Sequence, residues 1–143
     1  MSKLSKRFSR SWKSSRKPKK QKKYRMNCPL HVKQGMSHSH LSKELRKKYG
    51  KRSIGLRKGD KVKVMRGRFR KHEGKIESII LKKLKVMVSG IEITKKDGTK
   101  SRPYLEPSNI MVIELNMEDK WRQKILERKN KTQEKTNKIP SKV

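Results

Sequence analysis

The chain has 143 residues, with 44 lysines and arginines against 12 acids, a net charge of +32. Hydrophobic residues make up only 29%, and self-repulsion at this density is tolerable only beside a polyanion: nucleic acid, an anionic membrane surface or acidic protein. No run approaches the roughly 18 apolar residues of a membrane span, and no apolar stretch follows the basic start as it does in a secretory leader. The single Cys28 excludes an internal disulfide and a multi-cysteine metal cluster, so the chain reads as soluble and intracellular.

Charge and apolar residues are segregated. Residues 1–52 carry a net +18, residues 53–115 +9 and residues 116–143 +5. Of the 29 Leu, Ile, Val and Phe residues, 19 fall within residues 54–115. A small folded centre therefore lies between two basic arms.

Residues 1–40 read as a basic, extended arm, because blocks of like charge repel and serve as nucleic-acid-binding arms. Phe8, Trp12 and Tyr24 interrupt it. Their rings suit stacking on unpaired bases or packing on a neighbour, and the two readings stand level. Pro29 keeps its surroundings extended. Within residues 41–52 a short helix is predicted from Lys43 to Tyr49, capped by Ser42, with Glu44 in its first turn and Gly50 ending it. Its face carries Lys43, Arg46, Lys47 and Lys48.

Residues 53–115 read as β. Lys61–Val64 alternates as a half-buried strand does, and Lys75 to Leu81 follows. Leu84, Val86 and Val88 form a third strand and Ile91 to Ile93 a fourth. Asp97-Gly98 signals a hairpin into Thr99–Leu105, and Pro107-Ser108-Asn109 a turn into Ile110–Leu115. Short strands with little helix between them predict a mainly β fold, a small antiparallel barrel. Residues 116–130 predict a C-terminal helix capped by Asn116 and ending near Lys129, with Met117, Trp121, Ile125 and Leu126 as its apolar stripe. That stripe reads as core packing before it reads as an RNA platform. Residues 131–143 form a polar tail.

Residues 57–80 carry the sharpest pattern: strand, basic loop, strand. Gly59 and Gly67 sit at turns and Gly74 where the chain re-enters the sheet. The loop offers the guanidinium forks of Arg66, Arg68 and Arg70, with Lys71, to phosphates, and Phe69 for stacking. This pattern resembles the KOW motif of RNA-binding proteins. Leu41 to Arg46, Tyr49-Gly50, Arg52-Ser53, Arg57 to Asp60, Pro107 to Asn109 and Lys124 to Arg128 extend the likeness. Over roughly residues 18–130 the chain is similar to the archaeal and eukaryotic form of universal large-subunit ribosomal protein twenty-four.

The resemblance implies an SH3-like barrel, a structural role in the large ribosomal subunit, binding to the 5′ region of its rRNA early in assembly, and a place near the peptide-tunnel exit. It implies rRNA contacts by Arg66, Gly67, Arg68, Phe69 and Arg70. Together with the charge pattern it nominates Arg16, Lys17, Lys19, Lys20, Arg25, Arg46, Lys47, Arg57, Lys58, Lys71, Lys95 and Lys96. Implied partners are rRNA, neighbouring ribosomal proteins and tunnel-exit factors, without membrane insertion or homo-oligomer. One departure is Lys71, where relatives often carry glycine; positive φ there would strain a lysine.

Cys28, His31, His38 and His40 match no zinc module spacing, so no metal or other cofactor is expected. Glu73 and His72 are neighbours on a strand and face opposite ways, and Asp60, Glu73 and Glu77 read as local charge balance. No Walker loop or catalytic triad is present, so the chain is not read as an enzyme. A KOW-type transcription elongation factor would need a folded domain before the motif, which residues 1–40 are too apolar-poor to form. A general basic nucleic-acid-compacting protein, or a membrane-active one, would explain the arms and not the central pattern.

Overall fold

In the computed structural model, residue 8 and residues 15–136 are described, the last eight as main chain only. Trp12, Lys138 and Lys142 lie outside the described residues. The elements are α1 (Pro18–Asn27), α2 (Leu30–Met36), β1 (His38–Leu41), α3 (Lys43–Tyr49), β2 (Ser53–Gly55), β3 (Lys61–Val64), β4 (Glu73–Ile80), β5 (Lys85–Val88), β6 (Ile93–Thr94), β7 (Lys100–Ser101), a 3₁₀ turn (Pro107–Asn109), β8 (Ile110–Glu114) and α4 (Lys120–Thr136). Six strands form one sheet in the order β2-β1-β8-β3-β4-β5, and β6 and β7 make a separate hairpin. The result is mainly β and barrel-like, with helices before and after the strands in the described residues.

The alternation seen in the sequence turns Val62, Val64, Ile76, Val86, Val88, Ile110 and Val112 into one buried cluster, joined by Leu41, Ile54 and Leu56. Every pairing in the main sheet is antiparallel except β1 with β8, which is parallel. The sheet is thus mixed where a purely antiparallel one was expected, because the long connection from β1 to β8 lets them run the same way. Strand Thr99–Leu105 shrinks to Lys100–Ser101, with one further bridge between Leu105 and Val86. Pro103 within that run has no N–H to give a ladder.

Residues 18–40 are not an extended arm. Pro18 occupies the first turn of α1, where its missing N–H costs nothing. The lysines and glutamine that follow are good helix formers even though the helix buries none of its residues. Cys28 and Pro29 return to extended backbone and separate α1 from α2. Phe8 meets Tyr24 of α1, ring centroids 4.9 Å apart, so these two rings pack on each other. β1 puts Ser39 and Leu41 inward, and the Ser39 hydroxyl donates to the Ile110 carbonyl.

Helix α3 forms as its caps dictate: the Ser42 hydroxyl accepts from the Leu45 N–H at 3.3 Å, and Gly50 takes the left-handed conformation with φ 59°. Helix α4 starts three residues later than the Asn116 cap predicted. Asp119 Oδ1 accepts from the Trp121 N–H at 2.9 Å, while the Asn116 side chain accepts locally from the Glu118 N–H. The helix also runs on past Lys129 to Thr136.

Its inward face differs from the expected stripe. Leu126 is 2% exposed and Arg122 4%, whereas Trp121 is 67% and Ile125 43% exposed. The reason is Asp60, which is fully buried. A buried carboxylate needs a cation and hydrogen bonds. Arg122 grips it with two bonds of 2.6 and 2.8 Å, and the Arg57 and Asn116 N–H groups donate to it at 2.9 Å each. Asp60 is therefore an internal clasp between the barrel and α4, not a surface counter-charge.

Candidate nucleic-acid interface

Residues 65–72 connect β3 to β4. Val64 pairs with two residues of the returning chain: its carbonyl accepts from the Lys71 N–H at 2.8 Å and its N–H donates to the His72 carbonyl at 2.8 Å. Two-to-one pairing of this kind is a β-bulge whose first residue adopts the left-handed region, the place glycine usually fills. Lys71 does adopt it, with φ 74°, and Gly67 in mid-loop has φ 92°. The Met65 N–H donates to the Asn109 carbonyl at 2.8 Å and ties the loop to the 3₁₀ turn.

On this frame Arg66, Arg68, Arg70 and Lys71 are exposed. Phe69 is half-buried and packs against the core, so its ring anchors the loop more than it offers a stacking face. At the loop's edge, His72 Nε2 lies 3.1 Å from the Ser89 carbonyl. Gly74 passes so close to β5 that a Cβ would stand 2.5 Å from that same oxygen.

Acids are spent elsewhere. Lys61 with Glu114, Lys63 with Glu73, Lys85 with Glu106, Arg102 with Glu77 and Lys100 with Glu92 pair on strand faces and hairpins at 2.8–3.3 Å. Glu73 and Glu106 sit below the usual carboxylate range because of the hydrogen bonds and charges of Lys63 and Lys85. Lys61 is raised by Glu114. None of the described acids pairs with the four loop cations, whose charge therefore stands open.

The other nominated residues are scattered. Arg57 and Lys58 lie before β3, at its opposite end from the loop, and Arg57 is held by Asp119 at 2.8 Å. Arg46 Nε donates to the Leu41 carbonyl at 2.8 Å, which makes it partly a cap on β1. Lys47 is exposed on α3, and Lys95 and Lys96 are exposed in the β6–β7 hairpin. Arg16 and Lys17 precede α1, while Lys19, Lys20 and Arg25 are exposed along it.

Sequence reasoning passed over Lys33, a buried residue of α2 whose Nζ donates to the Met26 and Lys82 carbonyls at 3.2 and 3.1 Å. It also missed Arg122, although the four-residue spacing to Leu126 puts both on one helix face. Among the described residues no three His, Cys, Asp or Glu side chains gather to hold a metal. The thiol of Cys28 donates to the Arg25 carbonyl at 3.2 Å. No helix there is long and apolar enough to cross a membrane.

Fold and site define a class: small, strongly basic β-barrel-like proteins that present unpaired cations on a hairpin loop. Residues 15–129 match the family that unites the eukaryotic ribosomal proteins L26 with their archaeal L24 counterparts. The chain is 45% identical over 114 residues to large ribosomal subunit protein uL24 of Methanothrix thermoacetophila, covering 80% of this chain and 98% of that one. It is 43% identical over 112 residues to the protein of the same name from Methanospirillum hungatei, covering 78% and 93%. The chain belongs to this family of structural, non-enzymatic ribosomal proteins.

Proposed function

We propose that the protein is a structural constituent of the large subunit of the cytoplasmic ribosome and docks on its rRNA through residues 66–71. The observation that carries this reading is the unpaired charge of Arg66, Arg68, Arg70 and Lys71 on a loop braced at both ends, in a family of ribosomal proteins. Lys61, Lys63, Lys85, Lys100 and Arg102 are neutralised by acids, so net attraction for phosphate concentrates on the loops and on α1. Lys19, Lys20, Lys47, Lys58, Lys95 and Lys96 extend the contact. Binding to the 5′ region of the rRNA, early in assembly and near the tunnel exit, belongs to the same reading, with neighbouring ribosomal proteins and tunnel-exit factors as partners.

Fractionation of cell lysate on a sucrose gradient, before and after nuclease and in high salt, tests the role. One copy per large subunit, retained through the salt wash, is the expected result; migration with RNA polymerase or chromosomal DNA overturns it. For the loop, replacing Arg66 and Arg68 by Ala should flatten the log–log salt dependence of rRNA binding by about 1.4 to 1.8. That loss should exceed the one from replacing Lys138 and Lys142, and equal losses would sink the loop assignment.

A further inference from the structure

A second cationic feature lies away from the loop. Between α1 and α2 on one side and residues 81–84, the β4–β5 turn, on the other runs a groove of about 620 Å³. Met26, Met36, Leu84 and Pro107 give it apolar walls, and Arg25, Lys82, Lys83 and Lys85 line its polar part. Among the described residues its one acid is Glu106, occupied by Lys85 at 2.8 Å, which leaves Arg25, Lys82 and Lys83 as excess positive charge.

The groove is braced in advance. Lys33 Nζ, buried between the walls, bonds the Met26 carbonyl of one and the Lys82 carbonyl of the other. Leu84 takes a left-handed conformation with φ 53°, a strain that shapes the turn presenting Lys82 and Lys83. An aromatic ring stands beside it. Tyr104 and Glu106 flank Leu105, whose main chain pairs with Val86, and so they project to the same side. Tyr104 is 48% exposed, and Lys83 Nζ rests 5.8 Å from its ring centroid.

We infer that this groove binds an unpaired RNA nucleotide, its base stacked on Tyr104 and its phosphates held by Arg25, Lys82 and Lys83. A base arriving on Tyr104 takes the place of the Lys83 ammonium, which is then released to the adjoining phosphate. Rings among cations hold single strands in this way, because every base has a π face. A duplex hides its bases and has no such use for Tyr104. This inference rests on the RNA-binding reading given above and adds a second, single-strand-selective site to it.

Full-length protein is titrated by fluorescence anisotropy with a labelled oligouridine and with an RNA hairpin of equal length, closed by a compact tetraloop whose bases stack on the stem. Tyr104→Ala should weaken the single strand at least about five-fold and leave the hairpin unchanged, while Tyr104→Phe keeps wild-type affinity. Replacing Lys82 and Lys83 by Ala should flatten the single-strand salt slope by about 1.4. If both groove variants bind oligouridine as the wild type does, while Arg66→Ala with Arg68→Ala weakens the hairpin, the groove assignment falls and the loop reading stands. Equal loss on both probes from Tyr104→Ala also overturns it. Wild-type protein that binds neither probe overturns both readings.

Discussion

Lys71 shows how one residue trades stability for charge. Its φ of 74° costs about 1 kcal/mol relative to glycine, yet its ammonium joins the cations of Arg66, Arg68 and Arg70 outside the barrel. Lys71→Gly is therefore expected to raise unfolding stability by about 1 kcal/mol in urea titrations. The same variant should flatten the salt slope of rRNA binding by about 0.7 to 0.9, one phosphate contact. A variant that is no more stable would show that the bulge, not the residue, sets the strain. This site was legible in the sequence as a lysine where glycine is usual. The ring of Phe69 was not, since an aromatic among arginines looks alike whether it faces solvent or core.

Helix α4 reverses the sequence reading of its own faces. Trp121 and Ile125 look like a core stripe, but the barrel offers α4 the buried Asp60 carboxylate, and Arg122 answers it. Turning Arg122 inward carries Trp121 out, where Lys124 lies 5.4 Å from its ring centroid. Arg122→Met should cost about 3 to 5 kcal/mol because it leaves an uncompensated charge in the interior. Trp121→Ala should stay within about 0.5 kcal/mol, as exposed substitutions do. Chemical denaturation of the two variants separates these readings, and a larger loss at Trp121 would restore the apolar stripe. Helices α1 and α2 teach the complementary lesson. The charge run hid a favourable propensity, and their seat on the barrel depends on Lys33 reaching the Lys82 carbonyl, 49 residues away in sequence.

Over the whole molecule, pairing of the few acids sets how stability follows pH. His38 is held below its ordinary value of 6.5 by burial, so protonation favours the unfolded chain and stability falls as pH drops through 6.5. Glu73 and Glu106 are held below their ordinary 4.5 by Lys63 and Lys85. Their contribution is present above 4.5 and is lost as pH falls through the lowered values. Lys61, raised above 10.5 by Glu114, contributes below that value and loses its contribution as pH rises through its folded pKa. The urea midpoint should be level between about pH 7 and 10 and fall in two acid stages. His38→Gln should abolish the upper stage, and its persistence would assign that stage to another group. The sequence by itself determined whatever depends on spacing along the chain: the strand Lys61–Val64, the last strand opening at Ile110, the caps of α3, the basic hairpin loop and the family. Tertiary structure alone decided the parallel join of β1 and β8, the Asp60–Arg122 clasp, the outward Trp121 and the groove over Lys33. Each of these depends on which distant segment meets which side chain, and buried charge, unlike apolar periodicity, leaves no repeat along the chain by which to find its partner.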